Sequence, residues 1–571
     1  MKKLSILVFT ALLTITLAVP LFAAETTITG SYRIRSVMDY NWSKDVTLTV
    51  GGPPPLFNYG TSGKTVYAGY FDQRFRMTIS HKRSEFLKAV VSVDIVEDVW
   101  GQQRNFRTNY SNGVTDGFIN TAYIEAVTKI GLFRLGVDNI GGRFGHGTWS
   151  DSGMNAGNGG NPGVTWGIKI DNFVATVSYV KYIDLVDTVF GNLAGGVPFQ
   201  VWPGGFPVTT INLIGGSGSD YRESDLNTYI LTAHYITDTV KVGLLYQLIH
   251  DPKTTSAPFF VVGVSDQGFF AGEAIGYGAF GPAWYWPTPT GSIGGAVGFG
   301  RAGMYNSWVH VMAMYADLKL MDGKLRVKAE YDRIWGTGYR NSRGDAFNAA
   351  VPGGVPASYR LPSDLKIDGH TAYVDVSYDF DAFKVGAAFL YGAGEKHWRP
   401  YAQHHYHFNT IGNDDFHWGN IIVPGDSALL ASGRFPFGLG NTPENVTSVK
   451  LYWSVMPFEK MDVHGAVIWA QYSEPVGRYA NNNFAPHQPF YGHPMNYALS
   501  PSGTAYVPAH ISHDLGWEVD LGATYEIIEG LSLNSEFGVL FTGDAFDYET
   551  ATGDEDWGPI YRWVNTLTYE F

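Results

Sequence analysis

Positively charged side chains recur at alternate positions in two segments near the start of the sequence. Arg33 and Arg35 lie in one segment, and Arg74 and Arg76 lie in the next. Residues two positions apart point to the same face of a β-strand, so each pair presents two guanidinium groups on one side. A guanidinium carries a planar set of N–H donors that matches carboxylate and phosphate oxygens. The four arginines therefore predict a surface that contacts anions.

The same alternation predicts a longer charged path on the face occupied by these arginines. Its candidate residues are Arg33, Arg35, Asp72, Arg74, Arg76, Arg134, Lys241, Arg326, Lys328 and Glu330. Further carboxylates on that face are Asp94, Glu125, Asp138, Asp375, Glu518, Asp520 and Glu536. Two interpretations stay open. The arginines form a ladder that guides anionic solutes, as charged rings do in pores, or they pair with carboxylates such as Asp72 and Asp94 and only stiffen the wall.

β-strands are required to position these side chains, and apolar and polar residues alternate along much of the chain. From Leu87 to Ile95 the odd-numbered residues are apolar, whereas Lys88, Ser92 and Asp94 occupy the even positions. Residues 240–248, 325–331 and 517–525 show the same separation. In a closed sheet that spans a membrane, the apolar phase faces lipid and the polar phase faces the interior.

Very short and very long connections alternate between the predicted strands. Short turns are predicted at 82–85, 128–131, 171–172, 236–239, 321–324, 379–382, 457–460 and 526–530. Long loops are predicted at 41–63, 99–116, 139–163, 184–224, 251–303, 335–369, 393–446, 473–514 and 543–558. Eight turns and nine loops connect 18 strands. The pattern predicts an all-β, transmembrane, antiparallel β-barrel of about 18 strands, with short periplasmic turns and long extracellular loops.

Both ends of the sequence carry features of an exported protein. Lys2 and Lys3 precede an apolar run that ends in small residues, which is typical of a secretory signal peptide. We therefore expect residues 1–23 to be a signal peptide and residues 24–571 to form a single outer-membrane β-barrel domain. The final segment resembles the terminal strand of outer-membrane proteins, and this resemblance implies that the barrel-assembly machinery recognises Phe571. The predicted location is the outer membrane of a Gram-negative cell.

Composition excludes several classes of protein. The 571 residues include no cysteine, which excludes thiolate metal sites, thiol nucleophiles and covalent haem attachment. Charged residues make up 16% and aromatic residues 15%, a combination that favours a lipid-facing surface over a soluble domain. The formal net charge of -14 argues against a nucleic-acid partner. No Ser, His and acidic residues have a recognisable catalytic spacing, so we predict neither an enzyme nor a bound cofactor.

Histidines are concentrated in the predicted loops of the second half. Ten of the 16 histidines lie between residues 397 and 513. Such clusters bind Zn²⁺ or Cu²⁺ in some proteins, but the spacing here matches no closed site, and a polar loop surface is the favoured interpretation. The acidic residues between 544 and 556 lack a complete Ca²⁺-binding pattern, so a solvated loop is favoured there as well.

Two segments resemble a known family. Residues 70–76, Tyr-Phe-Asp-Gln-Arg-Phe-Arg, and residues 133–138, Phe-Arg-Leu-Gly-Val-Asp, followed by a Gly-rich loop, resemble the alginate-export type of porin. The resemblance covers the N-terminal third. It implies an eighteen-stranded outer-membrane barrel whose arginine-rich lumen passes an anionic polysaccharide. The Gln that follows a Gly-Arg pair in that family's motif is not present in this sequence.

A barrel of this size leaves an aqueous channel whose bore is set by inward loops and lumen side chains. We therefore predict a porin for small polar solutes, with anions as one candidate class. Two alternatives stay open: a sheath around a periplasmic electron-transfer partner, and an export pore for an anionic polysaccharide. The expected partners are outer-membrane lipid, lipopolysaccharide, the barrel-assembly machinery and small solutes. Monomer and trimer are both compatible with the sequence.

Overall fold

The computed structural model describes the strands of one large sheet and short parts of the connections between them. The described residues are 25–51, 56–100, 118–138, 144–146, 161–183, 226–251, 287–288, 291–292, 304–340, 364–393, 405–406, 417–423, 445–478, 498–499, 506–507, 510–546, 548–550 and 553–571. The predicted signal peptide, residues 1–23, lies outside them. No helix in these ranges has the length and apolar character needed to cross a membrane.

Eighteen long strands form the main sheet within the described residues. They are β1 (Glu25–Gly51), β2 (Leu56–Ser84), β3 (Leu87–Val99), β4 (Phe118–Thr128), β5 (Gly131–Asp138), β6 (Asn161–Ile170), β7 (Phe173–Ile183), β8 (Leu226–Ile236), β9 (Val240–Asp251), β10 (Met304–Leu320), β11 (Leu325–Arg340), β12 (Asp364–Asp379), β13 (Phe383–Gly392), β14 (Thr447–Phe458), β15 (Met461–Arg478), β16 (His510–Ile528), β17 (Leu531–Thr542) and β18 (Ile560–Glu570). A two-residue strand, His405–Tyr406, adds to β12. The predicted all-β class is confirmed.

Each long strand pairs antiparallel with the next, and β18 pairs antiparallel with β1, so the sheet closes. The closure continues to the last residue: Gly30 and Phe571 exchange backbone N–H to C=O hydrogen bonds of 2.9 and 3.1 Å. A Cβ at Gly30 would lie 2.6 Å from the Phe571 ring, so glycine is required for this close approach. A closed sheet leaves no unpaired edge, as a strand-based membrane span requires.

The short turns lie where the sequence predicts them. Asp171–Asn172 connect β6 to β7, and Met321–Lys324 connect β10 to β11. Asp171 and Met321 have φ values of 50 and 52°, in the left-handed region common in tight turns. All eight turns lie at the end of the barrel that contains Glu25 and Phe571, here called the turn end. The opposite end is the loop end.

The predicted loop at 41–63 is wrong in extent. β1 and β2 pair as far as Gly51 and Leu56, with register shifts between Tyr40 and Val46, so this connection is mostly a strand hairpin. Its Gly and Pro content suggested a loop, but the β-branched run at 46–50 favours extended backbone. β11, β12, β15 and β16 also extend several residues into the ranges predicted as loops.

The two faces of the barrel differ as the alternation predicts. On β16, Trp517 and Leu521 point outward and are 54% and 53% exposed, whereas Glu518 between them is fully buried. On β3, Ser92 and Asp94 are buried inside the barrel, and the outward Leu87 is exposed. The outer face is therefore apolar and the inner face carries most of the charge.

Part of the interior is apolar, which the alternation did not predict. Leu390, Ile468 and Leu540 point inward from β13, β15 and β17 and are fully buried. They belong to one hydrophobic cluster with Trp418, Ile421, Ile422 and Val423 of the segment 417–423, which lies between β13 and β14 in the chain. The wall formed by β12–β18 is thus covered from inside over part of its height.

Candidate functional site

Two arginines of the predicted ladder are engaged by carboxylates on neighbouring strands. Arg35 on β1 forms an ion pair with Asp72 on β2 at 2.9 Å, and both side chains are less than a tenth exposed. Arg76 on β2 binds both oxygens of Asp94 on β3, at 2.6 and 2.8 Å. Each pair joins adjacent strands, and the fork geometry makes these charge-assisted hydrogen bonds strong and directional.

Two further arginines are engaged in the same way. Arg134 on β5 contacts Glu125 at 2.8 Å and Asp138 at 2.7 Å. Arg326 on β11 binds both oxygens of Asp317 on β10, at 2.6 and 2.8 Å. For these arginines the geometry supports the interpretation in which ion pairs brace the wall.

Other predicted site residues lie in rows across the wall. Arg33 and Arg74 are opposite each other on β1 and β2. Asp317 lies opposite Lys241 on one side and Lys328 on the other, and Lys328 lies opposite Asp375. This second row alternates in charge over four strands.

The predicted residues do not form one continuous ladder. Arg33, Arg35, Asp72, Arg74, Arg76 and Arg134 lie on β1–β5, and Lys241, Arg326, Lys328 and Glu330 lie on β9 and β11. On the strands between these two groups, side chains with hydroxyl groups point inward. For example, Thr165 Oγ1 and Ser178 Oγ are 2.8 Å apart. The structure therefore places the candidates in two separate charged patches.

A segment of the connection between β13 and β14 folds inside the barrel. The backbone N–H groups of Ile421 and Ile422 donate to the two oxygens of Glu518 on β16, at 2.7 and 2.8 Å. The N–H of Trp418 donates to the carbonyl of Val423 at 3.1 Å, which closes the segment on itself. One wall carboxylate thus satisfies two consecutive buried N–H groups that would otherwise lack partners.

Side chains of the wall fix both sides of this segment. The Trp418 indole N–H donates to Ser448 Oγ at 2.8 Å, and Lys450 Nζ donates to the Trp418 carbonyl at 2.5 Å. The N–H of Asn420 donates to Asp520 at 3.3 Å. These bonds attach the segment to β14 and β16 together.

Apolar contacts add to the polar anchors of the 417–423 segment. Ile421 and Ile422 are fully buried, and Trp418 is 2% exposed. They pack in the same cluster as the inward residues Ile468 and Leu540. Full burial of such a side chain stabilises by about 1.5–3 kcal/mol relative to exposure, so the segment is held in place by its side chains as well as its backbone.

A second segment, residues 144–146, docks on the inner face of β8–β11. The N–H of His146 donates to the Glu330 carboxylate, and His146 Nε2 is 2.8 Å from the carbonyl oxygen of Ala316. Phe144 is 2% exposed and packs with its ring centroid 5.1 Å from that of Tyr315. Gly145 has φ of 70°, and a Cβ there would contact Glu330. Glycine therefore permits the approach to the carboxylate.

The two segments approach each other at Tyr373. The ring of His146 is 5.8 Å from that of Tyr373, and the ring of Trp418 is 6.3 Å from it on centroid distances. Both segments use a wall carboxylate, Glu330 or Glu518, to bind backbone N–H groups. They narrow the lumen over β8–β18.

Sequence reasoning missed this constriction in part. Glu330 was predicted as a site residue and Glu518 as a lumen carboxylate, but neither was assigned to hold a loop. The detectable signal is the apolar stretch Ile421-Ile422-Val423 with Trp418 nearby, inside a range predicted as a loop. Which strand such a run meets depends on the register of the closed barrel.

Metal-binding geometry is not found in the described part of the chain, where no group of three or more His, Asp or Glu residues could hold an ion. On β15, both ring nitrogens of His464 face carboxylates, Asp462 at 2.8 Å and Glu536 at 2.7 Å. That imidazole therefore acts as a link between β15 and β17. Most of the His-rich loops lie outside the described residues.

The main fold is a closed antiparallel barrel of 18 strands. Models of known protein families give no match, and no curated protein matches. Similar solved structures include OmpT, an outer membrane protein of Vibrio cholerae, at 10% identity and a TM-score of 0.36, with 96% of this chain and 98% of that chain covered. OccK11 (OpdR) of Pseudomonas aeruginosa is 8% identical with a TM-score of 0.39, over 95% of this chain and 96% of that one. OpdL of the same organism is 8% identical with a TM-score of 0.39, over 95% of this chain and 98% of that one. At these sequence identities and TM-scores, no residue role and no activity of those proteins is assigned to this chain.

Proposed function

We propose that this protein is a bacterial outer-membrane porin through which small polar solutes diffuse. The observation that carries the proposal is the closed 18-strand sheet with an apolar outer face and a charged inner face. Only a closed sheet satisfies all backbone polar groups of strands in lipid. The turn end would then be periplasmic and the loop end extracellular.

The width of the barrel supports a water-filled path. Eighteen strands about 4.8 Å apart and tilted by about 40° enclose a backbone diameter of about 35 Å. The 144–146 and 417–423 segments occupy part of this width against β8–β18. The proposed solute path therefore runs along the wall of β1–β7, where Arg33, Arg74 and the paired Arg76 and Arg134 face inward.

The wall charges favour a modest preference for anions in this proposal. On the proposed path Arg35, Arg76 and Arg134 are bound to four carboxylates. Arg33, Arg74 and the inward Lys88 are three further cations of the same wall, so these groups comprise six cations and four carboxylates. We therefore propose small polar solutes, with anions favoured over cations of the same size.

Neither alternative gains support from the described residues. An enclosed electron-transfer partner would have to displace the 417–423 segment, which is held by Glu518, Ser448 and Lys450. An exported anionic polysaccharide would meet arginines whose forks are already bound to carboxylates. Export by a signal peptide, recognition of Phe571 by the assembly machinery and contact with lipopolysaccharide are parts of the same proposal.

Solute uptake by vesicles tests the proposal. The purified protein would be reconstituted into phosphatidylcholine vesicles, and swelling would be followed in solutions of small sugars and of small carboxylates. Swelling that slows with increasing solute size supports a diffusion pore. Vesicles whose protein has the circular dichroism of a β-barrel but which do not swell in any solute would contradict it. Empty vesicles and vesicles with heat-denatured protein are the controls.

A further inference from the structure

The outer face of β9–β13 carries one isolated ion pair. Arg333 on β11 and Asp368 on β12 are the charged residues on this face among those whose side chains the structure describes. Their nearest N···O distance is 3.5 Å, and their side chains are 49% and 57% exposed. Arg333 makes no other hydrogen bond or ion pair to a described residue; its guanidinium also lies 5.8 Å from the Trp335 ring centroid. Among the described residues, most of its N–H donors therefore have no hydrogen-bond partner.

Two histidines lie beside this ion pair on the same face. His370 is directly opposite Arg333 across β11 and β12. His310 on β10 is opposite Trp335, and their rings stack with centroids 5.4 Å apart. A hydrogen bond of 2.7 Å joins His310 Nδ1 to the Tyr246 hydroxyl, and Nε2 has no partner among the described residues. Trp335 and Tyr246 thus orient His310 and leave one ring nitrogen to face outward.

The height of this group on the barrel places it at a membrane surface. Asp368 lies ten positions along β12 from Tyr378, which packs against Phe380 at the turn end. Ten residues of a strand tilted by about 40° rise about 26 Å, which matches the apolar band of about 25 Å in such barrels. The outward residues between them on β12 are Val376, Val374 and Ala372, followed by His370 next to Asp368. Arg333 and the histidines therefore lie where lipid headgroups begin at the loop end.

We propose that Arg333 and His310 bind a phosphate group of a lipid in the leaflet at the loop end, with His370 beside the guanidinium on β12. A planar guanidinium matches phosphate oxygens with parallel N–H donors, and the outward Nε2 of His310 adds a hydrogen bond. The long contact to Asp368 leaves that carboxylate as a weak partner that a phosphate displaces. Met312, opposite Arg333 on β10, supplies apolar surface for the acyl chains below the headgroup. The site rests on the proposed membrane location but not on conduction.

Lipid retention tests this site directly. The purified wild type, Arg333→Gln and His310→Gln would be mixed in detergent with lipid A, and bound lipid would be counted by native mass spectrometry. Lys324→Gln is the matched control because it removes one exposed cation at the turn end. We expect each site variant to bind lipid A at least about fivefold more weakly than the wild type, as loss of a charge-assisted contact implies. The Lys324→Gln protein should bind like the wild type.

Two comparisons identify the ligand chemistry. Dephosphorylated lipid A should bind the wild type as weakly as phosphorylated lipid A binds Arg333→Gln, whereas inorganic phosphate should not compete at equal concentration. Equal retention of lipid A by the wild type and both site variants would overturn the proposal. A dimer or trimer lost in Arg333→Gln would overturn it in favour of a protein partner. Conductance of the same samples separates this result from the porin proposal, because the outward variants should conduct like the wild type.

Discussion

Glu518 on the barrel wall holds Ile421 inside the lumen, because its Oε1 accepts the Ile421 N–H at 2.7 Å while Oε2 accepts the next N–H at 2.8 Å. Glu518 is fully buried, so water does not replace these bonds when they are lost. Unpaired buried donors cost about 1–3 kcal/mol each. This relationship makes the 417–423 segment a fixed part of the constriction.

Glu518→Gln should loosen the 417–423 segment. The amide has one acceptor oxygen and an NH₂ group that opposes the second N–H donor, so one bond is lost and one donor is left unpaired. A cost of about 1–3 kcal/mol raises the undocked population by about 5- to 150-fold. Single-channel recordings should show more frequent transitions to a higher conductance.

Glu526→Gln on the same strand is the matched control, because Glu526 lies at the turn end beside Lys460. It removes the same charge without touching the segment. An unchanged pattern of conductance in Glu518→Gln would show that the segment does not limit the pore.

Arg76→Ala should reduce any anion preference of the pore. A double substitution that removes both charges of the Arg76–Asp94 ion pair should reduce it less. Asp94 is 1% exposed in its side chain, so losing Arg76 leaves a buried carboxylate without its cation at a cost of about 3–5 kcal/mol. The wall also becomes more negative by one charge. The double variant Arg76→Ala with Asp94→Asn keeps the net charge of the wall.

The reversal potential in a salt gradient measures both variants. We expect a shift towards cation preference in Arg76→Ala and a value near that of the wild type in the double variant. If both variants shift equally, the Arg76 guanidinium itself attracts anions, and the bracing interpretation fails for this pair.

Phe144→Ala should release the 144–146 segment from the wall. Phe144 packs against Tyr315 and His234 and is almost fully buried, and truncation of such a ring costs about 3–5 kcal/mol. The N–H of His146 donates to the Glu330 carboxylate in the docked segment, so its exchange with deuterium reports docking without a further substitution. This N–H should exchange faster in Phe144→Ala than in the wild type, and equal exchange rates in both proteins would argue against docking by Phe144.

Lys324 provides a test of pH dependence outside the membrane. Its hydrogen bond and ion pair with Asp381 in the neighbouring turn raise the pKa of the Lys324 ammonium above its usual value. A raised pKa in the folded state means that the contribution to stability is present at lower pH and is lost as the pH rises through the folded-state pKa. Asp381→Asn should lower the pKa of Lys324, as measured by the pH dependence of lysine acylation. The pair is exposed, so the stability of the barrel at neutral pH should barely change.

The faces of most strands could be predicted because alternation is a local property. Lys88, Ser92 and Asp94 point inward since neighbouring residues on the same strand are apolar, and no knowledge of other strands is needed. The extent of β1 and β2 could not be predicted in this way. Their pairing beyond Tyr40 depends on a partner strand and on register shifts that no local pattern specifies.

The constriction could be predicted only in outline. The charged residues were found, but Glu518 and Ile421 are 97 positions apart and meet because three strands, β14 to β16, set their relative register. The outward Arg333 was missed for a related reason: its height relative to the membrane follows from strand length and tilt, which alternation does not encode. Both the constriction and the height of Arg333 depend on how strands far apart in the sequence align in the closed barrel.

The most direct test of the central claim is conductance of the purified wild-type protein in a planar bilayer with a KCl gradient. Stepwise insertion of open channels, with a reversal potential of the sign expected for modest anion preference, is the predicted result. A protein that inserts with β-barrel dichroism and carries no ionic current would contradict the account of a water-filled path along β1–β7.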